Sequence, residues 1–232
     1  MAPADGLRSM CASSAGWGIA VRNDGSLTWW GNGDYYTGGP GSYAGVFNPG
    51  LNNIKDAVQV ACMRYSVMVL RKNGTVAYYG GATNNEQGVT YPTGIPAYSG
   101  IVAIAAADYA GAVLDNNGKV SIFGYEKFNI YAVLKEKTGY KAIGGGGGGF
   151  VGIKADGTVT GASGDKSGNQ HSGPSALDNV VQATLGPAGQ GIALKADGKV
   201  VVWGGAPEPP TDLKKAVAVA AETANQFNPK FF

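Results

Sequence analysis

A phrase of about fourteen residues recurs five times along the chain, and each copy places apolar residues on both sides of a turn dipeptide. Asp-Gly or Asn-Gly forms the centre of every copy, which is a strong signal for a β-hairpin. The copies read GIAVRNDGSLTWWG, VMVLRKNGTVAYYG, GAVLDNNGKVSIFG, FVGIKADGTVTGAS and GIALKADGKVVVWG. The pattern predicts hairpin units near residues 18–31, 67–80, 111–124, 150–164 and 191–204.

The spacing of the copies predicts a repeat architecture. The turn glycines are Gly25, Gly74, Gly118, Gly157 and Gly198, with separations of 49, 44, 39 and 41 residues. Such spacing suits a blade of four strands, since blade repeats run ~40–50 residues. Aromatic residues close four of the hairpins, at Trp30, Tyr79, Phe123 and Trp203. The fourth copy has Gly161 and Ala162 instead, so we expect its blade to be the least stable.

A short segment of small residues precedes each hairpin. The copies are SMCASS, AVQVAC, IVAIAA, YKAIGG and VVQATL, and a sixth, AVAVAA at 216–221, has no hairpin after it. Small side chains suit strands that converge on a central axis. We therefore predict an all-β chain forming a single domain over residues 1–232. It is a β-propeller of about five blades, or six with one incomplete. Residues 7–13 and 216–221 both resemble inner strands, and we expect terminal strand closure, which would protect an exposed edge.

These repeats resemble the regulator of chromosome condensation family, in a divergent bacterial or phage form. The closest stretches are VVQATLGPAGQGIALKADGKVVVWG, AIGGGGGGFVGIKADGTV and VQVACMRYSVMVLRKNGTVAYYG, with Asn84, Gln87 and Gly88 echoing a trailing loop. The resemblance covers about residues 7–221 and implies a β-propeller. Full-length members usually have seven blades, whereas this chain has five hairpins. The histidine that the family carries before its second strand is absent, so nucleotide-exchange activity is not implied.

Composition excludes several functions. A net charge of +2 gives no broad electrostatic footprint for nucleic acid. No apolar stretch is long enough for a membrane-spanning helix, and MAPADGLRSM lacks an apolar signal segment. The run Gly144–Gly149 precedes a strand, not the helix that a phosphate loop needs, so we expect a packing role for it.

Few residues are suited to catalysis or metal binding. The single histidine, His171, lies in a predicted polar loop, and with two cysteines it cannot complete a standard zinc site. We expect Cys11 and Cys62 to be free buried thiols, with a disulfide between neighbouring blades as the alternative. No catalytic residue, metal or cofactor is predicted, and we expect the protein not to be an enzyme. Paired-carboxylate glycosidase chemistry stays open as an alternative.

The loops that follow the hairpins carry the candidate binding site. They combine Tyr, Asn, Gln and Gly, residue types that are also favoured in antibody binding sites. The densest group is Asp34, Tyr35, Tyr36, Tyr43, Asn84, Asn85, Glu86 and Gln87. This pattern favours a non-catalytic recognition module that binds a cell-surface glycan or protein receptor, as a lectin or a phage fibre or spike does. Its location would be extracellular or on a virion surface, although a cytoplasmic location stays open. The alternatives are an intracellular protein-interaction propeller of the chromosome-condensation-regulator type and a glycan-cleaving enzyme.

Overall fold

Five antiparallel β-sheets follow one another along the chain. The computed structural model describes residues 6–13, 16–31, 49–64, 66–80, 97–108, 110–124, 133–147, 149–164, 170–172, 177–186 and 189–220. The strands are β1 (Leu7–Ser13), β2 (Trp17–Arg22), β3 (Leu27–Gly31), β4 (Ala57–Cys62), β5 (Ser66–Arg71), β6 (Val76–Gly80), β7 (Ile101–Ala106), β8 (Ala110–Asp115), β9 (Val120–Gly124), β10 (Tyr140–Gly146), β11 (Gly149–Lys154), β12 (Val159–Gly164), β13 (Gln170–Ser172), β14 (Val180–Leu185), β15 (Gly191–Lys195) and β16 (Val200–Trp203).

Each sheet is a meander whose strands pair in chain order. Four sheets have three strands, β1-β2-β3, β4-β5-β6, β7-β8-β9 and β14-β15-β16, and the fourth along the chain has four, β10-β11-β12-β13. The described residues contain no α-helix, only a 3-10 turn at Pro49–Asn53. The predicted all-β class is therefore confirmed. We call the sheets blades one to five, and the strands of each blade inner, middle and third in chain order.

Asp, Asn and Gly all tolerate a positive φ, but the two residues of each turn dipeptide do not both adopt one. Only the glycine does so in the first turn, with φ 86° at Gly25. The Gly25 N–H donates to the Arg22 carbonyl at 2.9 Å and the Arg22 N–H donates to the Ser26 carbonyl at 2.8 Å. This is a type I turn followed by a left-handed glycine, the usual three-residue hairpin loop. Asp24 stabilises the turn in another way, because its Oδ1 accepts a hydrogen bond from the Ser26 N–H at 2.8 Å.

Successive blades pack face to face. We call the side of a blade that meets the next blade its forward face, and the opposite side its back face. Ile19 and Val21 on the forward face of blade one pack with Val67 and Val69 on the back face of blade two in one buried cluster. The same alternation places Met68 and Leu70 of blade two against Val113 of blade three. Neighbouring residues of each middle strand point to opposite faces of the blade. Nearly every residue of these strands is buried, so both faces of the middle strands are covered.

In four of the five blades, the back face combines one large and one small residue at the same cross-strand position, whereas blade two pairs Val67 with Tyr79. Gly18 pairs with Trp30, Gly111 with Phe123 and Gly191 with Trp203. A Cβ at Gly18 would lie 2.5 Å from the Trp30 ring, so the indole lies directly over the glycine. In blade four the order is reversed, since Phe150 of the middle strand, almost fully buried, pairs with Ala162 of the third. The missing third-strand aromatic is thus replaced from the middle strand, and lower stability of blade four stays a prediction.

The inner strands converge, and two features follow from their close approach. A Cβ at Gly144 would clash with the Ala183 carbonyl of blade five, and one at Gly145 would clash with the Ala106 carbonyl of blade three. The packing role predicted for the glycine run is therefore confirmed. Cys11 and Cys62 form a disulfide, with Cα atoms 5.6 Å apart, so the expectation of free thiols was wrong. Cys11 lies on the forward face of its strand and Cys62 on the back face of the next, so the two side chains meet between blades.

Two further expectations change at the level of single segments. His171 lies in β13, the fourth strand of blade four, and not in a loop. Residues 216–220 are not a β-strand, although AVAVAA was predicted to be one. Within the described residues, β1 pairs only with β2, so terminal strand closure stays a prediction.

Candidate binding face

Different structural elements lie at the two ends of the stacked blades. At one end lie the hairpin turns; at the other end the third strands finish and the inner strands turn into the middle strands. Register fixes this assignment, because Gly31 pairs with Trp17, Gly80 with Ser66 and Gly124 with Ala110. We call the first end the turn face and the second end the loop face. The segments that follow Gly31, Gly80 and Gly124 therefore leave from the same face.

The predicted site residues belong to two of these segments. Asp34, Tyr35, Tyr36, Tyr43, Asn84, Asn85, Glu86 and Gln87 all lie outside the described residues. Their segments start at the loop face, since Gly31 and Gly80 end their strands there. The proposed patch therefore stays a prediction.

The described part of the loop face contains a chain of hydrogen bonds that links four blades near the axis. Ser13 Oγ donates to the Arg64 carbonyl at 2.7 Å, and Trp17 Nε1 donates to the same oxygen at 3.3 Å. The Arg64 N–H donates to the Asp108 carbonyl and the Asp108 N–H donates to the Gly147 carbonyl, both at 2.9 Å. We call these five residues the girdle. It connects the loops of blades one to four, so their relative positions at this face are held by backbone as well as by packing.

Arg64 and Asp108 are girdle residues that the sequence analysis did not single out. They occupy equivalent positions in blades two and three, and Asp108 is buried whereas Arg64 is partly exposed. The sequence does hold a signal, because MRYS and ADYA both place a charged residue and then a tyrosine between the inner and middle strands. The girdle thus brings opposite charges to adjacent blades at the centre of the loop face.

Apolar residues anchor the connections between blades near the turn face. Leu51 and Leu134 are fully buried, in the clusters between blades one and two and between blades three and four. Tyr98 packs on Phe123 with ring centroids 5.9 Å apart, and Leu177 joins the cluster between blades four and five. The connections after Gly31, Gly80 and Gly124 therefore leave from the loop face, and each connection returns to a fully or partly buried apolar anchor before the next inner strand begins.

Carboxylates at the turn face have structural partners. Hydrogen bonds from the Ser26 hydroxyl and N–H lower the pKa of Asp24, and those from Thr158 lower the pKa of Asp156. The Asp24 Oδ1–Ser26 Oγ and Asp156 Oδ1–Thr158 Oγ1 distances are 2.6 and 2.7 Å. These acids stabilise the turns, and nothing in their pKa shifts points to proton transfer. Within the described ranges there is no group of three potential metal ligands and no helix that could span a membrane.

No protein-family model matches the chain, and no curated protein sequence matches it. Solved structures do match. The ectodomain of the receptor kinase CR4 from Physcomitrella patens aligns with a TM-score of 0.64 at 16% identity, covering 89% of this chain and 54% of that one. Human WBSCR16 aligns with a TM-score of 0.56 at 17% identity, covering 86% and 62%. The fold is a β-propeller.

A third propeller structure also matches this chain. Prp20p from Saccharomyces cerevisiae, the yeast RCC1, aligns with a TM-score of 0.57 at 14% identity, covering 82% of this chain and 56% of its own. This propeller fold was predicted from the repeats, and the five blades agree with the predicted number. The chain spans between 54 and 62% of the length of these three structures, and the low identities establish the fold alone.

Proposed function

We propose that this chain is a non-catalytic recognition module that binds a protein partner through its loop face. The observation that carries the proposal is the common origin of the connections: those after Gly31, Gly80 and Gly124 leave from one face of the stacked blades, and the connections return to fully or partly buried apolar anchors. Sequence changes in such segments leave the blade cores intact, which is why binding residues are so often found on loops held by a rigid scaffold. The girdle adds one partly exposed charged residue, Arg64, at the centre of the same face.

A protein is favoured as the partner over a glycan by what the matched structures are reported to do. The Prp20p structures concern binding to Kap60, to Gsp1p and to histones, and the CR4 structure is a receptor ectodomain. These are properties of those proteins, and they support a binding role for the same architecture here. A glycan ligand would need the Tyr, Asn and Gln side chains of residues 34–43 and 84–87 as its platform.

The disulfide favours an extracellular or virion-surface location. Disulfides persist in oxidising compartments and are rare in the cytosol. A low charged fraction of 15% and loops rich in Tyr and Asn also suit an exposed adhesive protein. The second candidate is an intracellular interaction propeller, and the likeness to Prp20p is what supports it. Thiol counting on protein isolated from its native source separates the two, because a cytosolic protein would carry two free cysteines.

The binding proposal is tested by substitutions on opposite faces. Once a partner has been captured, Tyr35→Ala/Tyr36→Ala should weaken its binding by ~1–3 kcal/mol if the tyrosines are anchors. Asn117→Ala is the matched control, because Asn117 is exposed in a hairpin turn on the turn face. If the Asn117 substitution abolishes binding and the tyrosine pair has no effect, the partner binds at the turn face and the proposed binding face is wrong. A glycan array is run in parallel. If a glycan binds and no protein does, the ligand is a glycan and the proposal of a protein partner is wrong.

A further inference from the structure

A recurring hydrogen bond places the start of each inner strand at the turn face. The N–H of the first inner-strand residue donates to the carbonyl of the turn glycine of the preceding blade, at 3.0 or 3.1 Å: Ala57 to Gly25, Ile101 to Gly74, Tyr140 to Gly118 and Val180 to Gly157. Ala216 makes the same bond to Gly198 at 2.9 Å. The residues that lead into the inner strands, and those that lead into Ala216, therefore lie at the turn face beside the hairpin turns.

Positive charge is concentrated at the turn face. Fourteen of the fifteen lysines and arginines among the described residues lie in or directly beside a hairpin turn, in the first two residues of an inner strand, or in the five residues that lead into one or into Ala216. The exception is Arg64. The same elements contain eight carboxylates, so the turn face has an excess of six positive charges. The net charge of the whole chain is only +2, and this overall value hides a basic face.

Most carboxylates at the turn face are engaged by the protein itself. Four of them accept the N–H of the residue two positions further along the turn, at 2.8 or 2.9 Å: Asp24, Asp115, Asp156 and Asp197. Three form ion pairs: Asp56 with Arg71, Glu136 with Lys119 and Asp178 with Lys195. Nine of the fourteen cations are exposed. The excess positive charge is therefore presented to solvent.

A β-bulge at the start of every inner strand adds further side chains to the turn face. The register between inner and middle strand skips one residue in each blade, and these bulge residues are Arg8, Val58, Val102, Lys141 and Val181. A bulge takes its side chain out of the regular alternation and can aim it away from the core. Val102 and Val181 are 54 and 49% exposed, and Lys141 between them is exposed as well.

Exposed apolar and basic side chains are therefore interleaved on this face. The strand β10 contacts both β7 and β14, so Val102, Lys141 and Val181 lie at the same level on three neighbouring inner strands. Val217 follows Ala216 as Val181 follows Val180, and it is 96% exposed. Leu213, also exposed, precedes two exposed lysines. A surface of this kind combines diffuse positive charge with aliphatic groups that water hydrates poorly.

We propose that the turn face is a docking surface for an anionic lipid bilayer. The exposed lysines lie against acidic headgroups, each contributing a small amount that adds across the face, and the exposed valines enter the interfacial region beside them. A soluble polyanion uses the charges but leaves the valines in water, and this difference favours the bilayer as the partner. Docking by the turn face directs the loop face away from the membrane, so the two binding surfaces act independently.

The test is co-sedimentation of the full chain with phosphatidylcholine vesicles that contain or lack phosphatidylserine. Wild type should bind only the vesicles with phosphatidylserine, and added salt should weaken binding because it screens the charges. Lys141→Gln/Lys154→Gln should lower the partition coefficient by ~25-fold, at about five-fold for each lysine. Lys141→Arg/Lys154→Arg is the matched control, which keeps the charge and should keep the binding.

Substitution of the valines separates a bilayer from a soluble polyanion. Val102→Ser/Val181→Ser should lower the partition coefficient by up to ~10-fold, because two apolar side chains no longer leave water. Met10→Ser, which removes an equally exposed apolar side chain in the middle of β1, should have no effect. The single variants Lys141→Gln and Val181→Ser replace any pair whose circular dichroism differs from that of wild type. Absence of binding to phosphatidylserine vesicles, or equal binding to both kinds of vesicle, would overturn the proposal. It would also be wrong if the valine variant bound like wild type while dextran sulfate competed for the lysines, since the face would then bind polyanions by charge alone.

Discussion

Removing the disulfide between Cys11 and Cys62 tests whether blade one depends on it. Blade one has a described neighbour on its forward face only, so its attachment rests on the cluster around Ile19, on hydrogen bonds to blade two such as that from Ser13 to Arg64, and on this one covalent link. The perturbation is the double substitution Cys11→Ala/Cys62→Ala in the full chain. It removes the cross-link and leaves the surrounding apolar side chains unchanged.

The magnitude follows from the size of the loop that the bond closes. The two cysteines are 51 residues apart. In the chain-entropy treatment, a loop of this length restricts the unfolded chain by about 4 kcal/mol at 25 °C. With an unfolding entropy of about 2.1 cal/mol/K per residue, that loss lowers the melting temperature of a chain of this size by about 8 °C. Because Cys62 is buried and Cys11 partly buried, the loss of sulfur contacts adds to the effect.

Differential scanning calorimetry in the presence and absence of reductant is the assay. Oxidised wild type should melt about 8 °C above the reduced wild type, and at least as far above the double variant, which also loses the sulfur contacts. Reductant should have no effect on the double variant, which has no cysteine left. Equal melting temperatures for oxidised wild type and the double variant would refute the reasoning, because the bond would then restrict nothing that the packing of blade one does not already hold.

Three further predictions concern single contacts. Tyr78→Phe should leave stability unchanged or raise it by up to ~1 kcal/mol in urea unfolding. The Tyr78 hydroxyl is buried and makes no hydrogen bond of normal geometry among the described residues, since Ser66 Oγ donates to Met63 Sδ. Burial raises the pKa of Tyr78 more than the nearby Ser66 hydroxyl lowers it. A clear loss of stability in Tyr78→Phe, with Tyr79→Phe neutral, would contradict this prediction. Gln59→Ala should lower the free energy of unfolding by ~1–3 kcal/mol, because the backbone N–H and carbonyl of Ile104 lose their hydrogen-bond partner. Gln182→Ala should mainly speed hydrogen exchange at Val219. Equal losses of unfolding free energy in the two variants would argue against this difference. The pKa values of Asp24 and Asp156 are lowered in the folded chain, so their stabilisation is present above an unfolded pKa of about 3.9 and is lost as pH falls through the folded values. Between pH 5 and pH 2 the urea midpoint of wild type should therefore fall more than that of Asp24→Asn/Asp156→Asn, and parallel curves would show that the turns do not depend on these charges.

The repeated hairpins made the fold predictable from the sequence, because every copy carries the same local information. Alternating apolar residues and a glycine that follows Asp or Asn fix strand, turn and strand within fourteen residues, as at Gly25 and Gly198. Five copies then leave few ways to bury the apolar faces other than stacking blade on blade. Stacked blades bring their inner strands close together, so the same argument accounts for the small residues in those strands.

Contacts between blades were less predictable because they depend on distances that no local pattern encodes. The Cys11–Cys62 bond requires the strand faces of neighbouring blades to meet, and spacing along the chain does not set that geometry. The charged girdle residues Arg64 and Asp108 lie between the inner and middle strands, outside the repeated hairpin phrase, so the hairpin pattern carries no information about them. The Tyr and Asn loops differ in every repeat, so the repeat gives no information about their conformation.

Blade four shows why a repeat must be interpreted in pairs of positions. Judged by its third strand alone, it lacks the aromatic residue that the other blades carry, which led to the expectation of a weak blade. The cross-strand partner of that position is Phe150, where blades one, three and five have glycine. One large ring therefore fills the space in each of these blades, from either strand. Since close packing constrains the summed volume at a site and not the identity of each residue, a substitution such as Phe150→Gly should be rescued best by an aromatic residue at Ala162.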